Sequence, residues 1–286
     1  MIRFGAPVFP DFDALGRDPE AYTAAHERKG YRAAYLPSGL RPEDTVTIQA
    51  LRDSMRKRDI MIAELGIYNN MLDTDPATRT SCRQDVLQGF AVAEAAGARC
   101  FTCILGTFAH GRCRDAHVAA NLTDEAFDAA VELARYFIDE IKPKCSFFTF
   151  ESFPFNVIDS PESIARLVSA VDRKHFGVHL DLVNLVNSPR TYFTSGALMR
   201  ECIKLFGDRI VSAHAKDIRA ILPSISVMFE EVIPGKGNID MTTYLDELQR
   251  LPAQIPLMME HLENEADYDS GTAYIRGTAR QCGFLL

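Results

Sequence analysis

The chain has no excess of basic residues. Its 31 Lys and Arg are outnumbered by 39 Asp and Glu, which gives a formal net charge of −8. A protein with this balance offers no broad cationic surface to nucleic acid or to an anionic membrane, so we expect neither as a partner. A small substrate bound in a local pocket is fully compatible with the acidic charge.

Long apolar runs and a disulfide framework are also missing. No stretch approaches the roughly 18 consecutive apolar residues of a membrane span, and the N-terminal MIRFGAPVFPDFD lacks the basic start and apolar core of a signal peptide. The seven cysteines are an odd number without framework spacing. Cys100 and Cys103 form a C-x-x-C pair, but no second pair completes a zinc site, so buried strand cysteines are the better interpretation. We therefore expect a cytoplasmic protein with reduced thiols.

No low-complexity tract and no Pro- or Ser-rich hinge interrupts the chain, so residues 1–286 are predicted to form a single domain. Eight short β-rich runs follow one another instead, and each precedes a segment long enough for a helix. Two of these segments begin with helix start signals, the Asp-Pro of DPEAYTAAHERKG and the Ser-Pro-Glu of SPESIARLVSAVD. The alternation predicts an α/β fold, a (β/α)₈ or TIM barrel. The runs are residues 2–9, 31–37, 60–68, 98–105, 145–151, 176–182, 209–216 and 255–261.

A doubly wound open sheet is the alternative interpretation of the same alternation. However, the segment after the first run, GAPVFPDF, is not the glycine-rich turn that binds a dinucleotide. The later segment PGKGNID lacks the frame of a phosphate-binding P-loop, and its glycines predict a tight loop over the barrel mouth. His110 and His117, in the loop after the fourth run, are interpreted as surface residues rather than parts of a lid. The barrel is therefore favoured.

Four residues stand at the ends of the last four runs: Glu151, Asp181, His214 and Glu260. Since the catalytic residues of these barrels lie at the C-terminal ends of the strands, the four side chains are expected to converge on one rim. Three carboxylates and one imidazole at one place would hold a divalent metal ion. Oxygen-rich ligands with a single imidazole suit Mn²⁺, Mg²⁺ or Co²⁺ better than Zn²⁺, which is the remaining alternative.

The neighbours of these residues can be placed because residues i and i+2 of a strand lie on one face. His179 shares a face with Asp181, and Lys216 shares one with His214. Both are therefore predicted to face the pocket and bind substrate. Lys216 could equally form a salt bridge with one of the candidate glutamates, and the sequence leaves the two roles open.

Three further side chains are placed by their position at strand ends. Asn184 lies in the loop beyond Asp181 and is predicted to reach inward and bind substrate. Glu64 ends the third run and is predicted to be a polar pocket residue that also binds substrate. His261 follows Glu260 directly and is therefore predicted to point away from it, towards the helical layer.

These residues match the motifs of a known family. The second half resembles the xylose isomerase-like sugar phosphate isomerase/epimerase superfamily of TIM barrels, and the resemblance spans essentially the whole chain. That group includes ketose 3-epimerases, hydroxypyruvate isomerase, inosose isomerase and dehydratase proteins and, more distantly, endonuclease IV. The matching pieces are A-E-L-G-x-x-N (63–69), the Glu that ends the fifth run (151), H-L-D-x-V-N (179–184), H-x-K-D (214–217), P-G-x-G-x-I-D (234–240) and E-H-L (260–262).

The resemblance implies one Mn²⁺-type ion held by Glu151, Asp181, His214 and Glu260. It also implies an isomerase or epimerase of a small sugar, sugar acid or cyclitol, which acts through a metal-stabilised cis-enediolate. In such enzymes a substrate carbonyl and its neighbouring hydroxyl chelate the ion, and the two glutamates move the proton. Two flanking carboxylates suit epimerisation, whereas a 1,2-shift between ketose and aldose can use one of them as a shuttle.

Other activities remain open at this point. A dehydratase would use the same metal and then lose a β-hydroxyl, as inosose dehydratase relatives do. An endonuclease IV-like phosphodiesterase is less favoured, because that enzyme has a histidine at the position of Asn184, and asparagine leaves the additional metal sites short of ligands. Some ketose epimerases also carry histidine there, which weakens that assignment too. A non-catalytic sugar-binding barrel is the last alternative, and a homo-oligomer is compatible with every one of these activities.

Overall fold

The computed structural model describes residues 1–111 and 116–286. Eight parallel strands form the wall of a barrel, in the order β5-β4-β3-β2-β1-β10-β7-β6. Isolated bridges from Phe148 to Phe176 and from Glu151 to His179 connect the two ends of this series. The α/β barrel prediction is thus confirmed, and the single domain over residues 1–286 stays a prediction. The strands are β1 Ile2–Gly5, β2 Ala33–Tyr35, β3 Met61–Ile67, β4 Cys100–Cys103, β5 Phe147–Phe150, β6 Val178–Leu180, β7 Ile210–Ala215 and β10 Ile255–Met259.

Helices follow the strands and surround the barrel. Several start where the sequence predicts: Asp18 caps α1 and Ser160 caps α5, each with a proline in the first turn. The α-helices are α1 Pro19–Arg28, α2 Thr45–Lys57, α3 Pro76–Ala96, α4 Asp124–Ile141, α5 Pro161–Val171, α6 Pro189–Phe193, α7 Ser195–Phe206, α8 Met241–Gln249 and α9 Glu265–Gln281, with 3₁₀ turns at Ala119–Leu122, Val183–Leu185 and Gly207–Arg209. None of the helices in the described parts of the chain has the length and apolar character needed to cross a bilayer.

Aromatic rings pack between the barrel wall and the helices at β4 and β5. The ring of Phe148 lies 6.0 Å from Phe101 and 5.4 Å from Phe137, which ties α4 to the barrel wall. Cys100 and Cys103 are fully buried in β4, as predicted, and both are free thiols. Residue 113, the seventh cysteine, lies outside the described residues. The rigid wall fixes where the strand ends stand.

An antiparallel hairpin interrupts the strand–helix alternation after β7. It consists of β8 Asp217–Ala220 and β9 Phe229–Val232, and the sequence analysis does not predict it. Asp217 anchors the following glycine loop, because its carboxylate accepts hydrogen bonds from the backbone N–H groups of Gly235, Gly237 and Ile239. A side chain at Gly237 would come within 2.2 Å of that carboxylate, so only glycine fits there. The hairpin and the loop together cover one side of the barrel mouth.

Candidate metal centre

Four strand ends bring the candidate ligands to one rim of the barrel. Glu151 directly follows β5, Asp181 follows β6, His214 lies near the end of β7, and Glu260 follows β10. One oxygen or nitrogen atom of each residue lies within 4.8 Å of those of the other three. The first three are buried, and Glu260 is partly buried. The convergence predicted from strand spacing is therefore present in the folded chain.

His214 points its Nδ1 atom into this cluster. The atom lies 2.8 Å from Glu260 Oε1, 3.7 Å from Asp181 Oδ2 and 3.9 Å from Glu151 Oε1. Donor atoms that bind one ion at about 2.1 Å lie roughly 3 to 4 Å from one another, so this spacing suits a single ion. Within the described residues, His214 Nδ1, Asp181 Oδ2 and Glu260 Oε1 have no hydrogen bond of normal geometry. Buried polar atoms in that condition are rare, and the donor set fits a divalent cation.

The ammonium group of Lys216 contacts the same oxygens. Its Nζ lies 2.7 Å from Asp181 Oδ2 and 2.5 Å from Glu260 Oε1, and it is 3.9 Å from Glu151 Oε1. The side chain is almost completely buried, with 2% exposed. Of the two roles that the sequence leaves open for Lys216, the structure therefore contains the salt bridge. Three buried carboxylates need a counter-charge, and the ammonium group provides one.

The electrostatic environment shifts the pKa values of the two candidate glutamates, Glu151 and Glu260, in opposite directions. Burial raises the pKa of Glu151, and the nearby carboxylates of Glu260 and Asp181 raise it further. For Glu260 the same burial effect is outweighed by His214 and Lys216, which lower its pKa to about 2. A pair of carboxyl groups whose pKa values are pushed apart is a common arrangement for acid and base roles. Glu151 is therefore the stronger base of the two, and Glu260 is the more readily ionised.

Glu64 and His179 lie on the other side of the His214 ring. Glu64 Oε1 is 2.9 Å from His214 Nε2, and Glu64 Oε2 is 2.9 Å from His179 Nε2. Ser212 donates a further hydrogen bond of 2.7 Å to Glu64 Oε2. Glu64 and the Nε2 atom of His179 are therefore engaged in contacts with other side chains of the protein. Substrate binding by either residue stays a prediction, although Glu64 reaches the wall of a cavity at the mouth.

Asn184 lies in the pocket, where the sequence places it. Its side-chain amide donates a hydrogen bond of 3.0 Å to Glu151 Oε1. Its backbone N–H and that of Val183 bond to Asp181 Oδ1, which leaves Oδ2 of that carboxylate facing the cluster. Asn184 thus orients one candidate ligand through its side chain and another through its backbone.

Two of the cavities in the described part of the chain open beside the cluster. The smaller has a volume of about 310 Å³ and includes Glu260 in its wall. The larger measures about 560 Å³ and includes Glu151. Tyr68 lines both cavities. The two candidate glutamates therefore line different cavities.

Aromatic residues in the wall of the larger cavity were not predicted. Phe153 and Phe155 come from the loop after β5, and Phe229 belongs to the unpredicted hairpin. His117 is exposed, as expected of a surface residue, and it also stacks on Phe155 with ring centroids 3.9 Å apart. Because all of these residues lie in connecting segments, strand spacing carries no signal for them. The short run FFTFESFPF was the one visible hint of an aromatic wall.

The predicted orientation of His261 is wrong. The side chain lies over the barrel mouth, with Nδ1 2.7 Å from Glu231 Oε2 and Nε2 3.6 Å from Glu260 Oε2. Strand β10 already ends at Met259, and the backbone at His261 has a positive φ of 61°, so the alternation of faces on which the prediction depends does not extend to this residue. Glu231 therefore connects the hairpin to the end of β10 through this histidine.

The protein is therefore a (β/α)₈ barrel with a cluster of carboxylates and one histidine at the C-terminal rim of its strands. A family model described as "Xylose isomerase-like TIM barrel" matches residues 23–278, which is most of the chain. The chain belongs to that family. No curated protein matches the sequence significantly.

Solved structures share the fold at low sequence identity. D-psicose 3-epimerase from Clostridium cellulolyticum H10, solved with D-tagatose, superposes with a TM-score of 0.65 at 14% identity, covering 93% of each chain. A xylose isomerase-like TIM barrel protein from Mycobacterium smegmatis, solved with magnesium, has a TM-score of 0.65 at 12% identity and covers 96% of this chain and 91% of its own. The IolI protein with a bound zinc atom has a TM-score of 0.60 at 16% identity, covering 92% and 90%. At these identities the likeness establishes the fold.

Proposed function

We propose that this protein is a divalent-metal-dependent isomerase or epimerase of a small sugar, sugar acid or cyclitol. The observation that carries the proposal is the convergence of three carboxylates and His214 Nδ1 beside two cavities at the barrel mouth. Structural neighbours include D-psicose 3-epimerase, which supports a carbohydrate substrate. Membership of the family adds to the support, since the fold places catalytic groups at this rim.

Glu151, Asp181, His214 and Glu260 would hold the ion. Mn²⁺ fits the oxygen-rich set, and the magnesium- and zinc-bound neighbours make those two ions the nearest competitors. When bound, the ion polarises a substrate carbonyl and thereby acidifies the adjacent C–H bond. Asn184 holds the Glu151 carboxylate, and Asp181 is held through its other oxygen, so both ligands are positioned before substrate arrives.

The two glutamates move the proton in this proposal. A substrate lying across the cluster would meet Glu260 from the smaller cavity and Glu151 from the larger one. One carboxylate removes the proton from the carbon next to the carbonyl, and the other returns it from the opposite face, which is epimerisation. If one carboxylate instead carries the proton from that carbon to the former carbonyl carbon, while the hydroxyl proton passes to the former carbonyl oxygen, the product is the 1,2-isomer. Lys216 and Asn184 lie close enough to the cluster to bind substrate hydroxyl groups.

The test is a panel of ketoses, aldoses, their acids and cyclitols, incubated with the Mn²⁺-loaded and the chelator-treated protein. Metal-dependent formation of an epimer or a ketose–aldose isomer supports the proposal. A dehydrated, carbonyl-conjugated product detected by its ultraviolet absorbance would replace it with a dehydratase. Cleavage of abasic DNA by protein that binds more than one ion per chain would replace it with a phosphodiesterase.

A further inference from the structure

The ring of His214 lies between two groups of residues. One is the set of candidate metal ligands, and the other is Glu64 with its partners His179 and Ser212. The Nδ1 atom of the ring faces the candidate metal ligands, and the Nε2 atom lies 2.9 Å from Glu64 Oε1. Glu64 belongs to β3, which lies four places from β7 in the eight-strand order and therefore across the barrel from it. The Glu64 side chain thus reaches across the barrel interior and contacts His214 on the opposite wall. Only about 1% of the Glu64 side chain is exposed, and none of the His214 side chain is.

We propose that Glu64 is the positioning residue of the metal centre, rather than a substrate-binding residue. It fixes the His214 tautomer with the proton on Nε2, so that Nδ1 presents a lone pair to the ion. The inference rests on the proposed metal-dependent function. A neutral imidazole carries one N–H, and a carboxylate acceptor on one side of the ring decides which nitrogen keeps it. Metal-bound histidines commonly have such a carboxylate or carbonyl partner.

The surroundings of Glu64 favour this tautomer. Ser212 donates to Glu64 Oε2 at 2.7 Å, and His179 Nε2 lies 2.9 Å from the same oxygen. The other ring nitrogen of His179, Nδ1, is buried and has no hydrogen-bond partner among the described residues. A proton on that nitrogen would be a buried donor without an acceptor, so His179 keeps its proton on Nε2 and donates to Glu64. Glu64 thus already accepts from Ser212 and His179, and its other oxygen, Oε1, lies 2.9 Å from His214 Nε2, where it can accept the N–H of that ring.

Glu64, His179 and His214 are also close enough to one another to hold an ion themselves. Two observations speak against a second metal site. The facing atoms of these three residues all have hydrogen-bond partners within the cluster. By contrast, three of the four candidate ligands have a facing atom with no hydrogen bond of normal geometry among the described residues: His214 Nδ1, Asp181 Oδ2 and Glu260 Oε1. The hydrogen-bonded group is therefore the support of the metal site.

The test measures metal binding without substrate. Purified wild-type chain is stripped of metal and titrated calorimetrically with Mn²⁺, alongside Glu64→Gln, Glu64→Ala and the control Glu94→Gln. Glu94 also accepts hydrogen bonds through both carboxylate oxygens, but its donors include the backbone N–H groups of Lys144 and Ser146, before β5, and it has no contact with Glu64 or His214. We expect the Kd to rise about 10- to 100-fold in the two Glu64 variants, more in Ala than in Gln, and less than about threefold in the control. Thermal unfolding of the metal-free proteins confirms that each variant folds.

A second readout separates tautomer control from simple structural support. In the Zn²⁺-loaded, ¹⁵N-histidine-labelled chain, long-range nitrogen–proton NMR correlations report which ring nitrogen of His214 carries the proton. The wild type is expected to show it on Nε2, and Glu64→Ala is expected to show a mixture or a loss of the metal-bound signal.

The outcomes distinguish the inference from the proposed function. Wild-type protein that binds no divalent ion would overturn both. Wild-type protein that binds one ion, with equal affinity in the Glu64 variants, would overturn the inference and leave the function standing. Binding of two ions per chain, with one of them lost in Glu64→Gln, would show that the Glu64 cluster is itself a metal site and would also overturn the inference.

Discussion

Glu151 and Glu260 approach the same atom, His214 Nδ1, at 3.9 and 2.8 Å, yet each borders a different cavity. In the proposed function these are the two proton-transfer groups, and they would reach a bound molecule from different cavities. It also makes the two residues separable by experiment, because each is expected to serve one face of the substrate.

The first prediction concerns these two glutamates. Glu151→Gln and Glu260→Gln should each lower kcat for interconversion by about 10²- to 10⁴-fold, because a proton donor or acceptor is lost. If two carboxylates serve two faces, each variant should still exchange solvent deuterium into one epimer and not into the other. Exchange is measured by mass spectrometry from each epimer separately.

The matched control for these variants is Glu230→Gln. Glu230 lies on the hairpin, is partly exposed and pairs with Arg219, away from the cluster. It should change kcat less than about twofold, since exposed ion pairs contribute little. Full turnover in Glu260→Gln would remove that residue from the proton-transfer scheme.

A second prediction concerns Lys216, whose ammonium contacts two candidate metal ligands. Lys216→Met leaves buried carboxylates without a counter-charge, which should destabilise the metal-free protein by about 3 kcal/mol. The variant should bind Mn²⁺ more tightly than wild type, because a competing cation is gone. Differential scanning calorimetry with and without Mn²⁺ measures both effects.

In that experiment the exposed Lys236→Met serves as the control and should leave the two melting temperatures unchanged. If Lys216→Met bound Mn²⁺ more weakly than wild type, the ammonium group would be a support of the ion site and not its competitor.

Asp217 provides a third prediction. Its carboxylate accepts hydrogen bonds from Gly235, Gly237 and Ile239, so Asp217→Asn turns an N–H towards at least one of these donors. We expect a loss of about 2 to 4 kcal/mol in the free energy of unfolding, measured by urea denaturation. The control Asp246→Asn removes an exposed helix ion pair and should cost less than about 0.5 kcal/mol. Equal effects of the two substitutions would mean that the loop is not anchored through Asp217.

The fourth prediction concerns pH. His26 is fully buried, and burial lowers its pKa from 6.5 to about 4 despite a hydrogen bond with the Tyr22 carbonyl. The unfolded chain therefore binds this proton first, so stability is lost as pH falls from 6.5 through 4. The loss from this residue amounts to roughly 3 kcal/mol between pH 7 and 4. His26→Leu should reduce the pH dependence of unfolding by that amount, and an unchanged dependence would contradict the burial effect.

The barrel and the four converging residues were predictable because both follow from local periodicity. In a parallel barrel the C-terminal ends of all strands lie at one rim, so an Asp or Glu at the end of a predicted strand is placed at that rim by its position in the sequence alone. Asn184 was placed by the same reasoning, since it follows Asp181 within one turn.

Other features depend on information that local spacing does not carry. The two hairpin strands are short and have charged residues at their centres, among them Arg219 in Asp217–Ala220 and Glu230 in Phe229–Val232. Their sequences therefore lack the apolar pattern by which a strand is predicted. His261 was misplaced because β10 ends at Met259 and the backbone at His261 has a positive φ, so the alternation of a strand does not apply there. The contact between Glu64 and His214 joins opposite walls of the barrel, and only the closed fold brings them together.

The central claim is that the metal-loaded site removes a proton from the carbon next to a substrate carbonyl. The most direct measurement is proton NMR of a ketose and aldose panel in D₂O with the Mn²⁺-loaded protein, after the paramagnetic ion and the protein have been removed. We expect solvent deuterium to appear at that carbon for at least one substrate, and not to appear with chelator-treated protein or with the Glu151→Gln/Glu260→Gln double variant. A metal-loaded protein that incorporates no deuterium into any member of a broad panel would contradict the central claim.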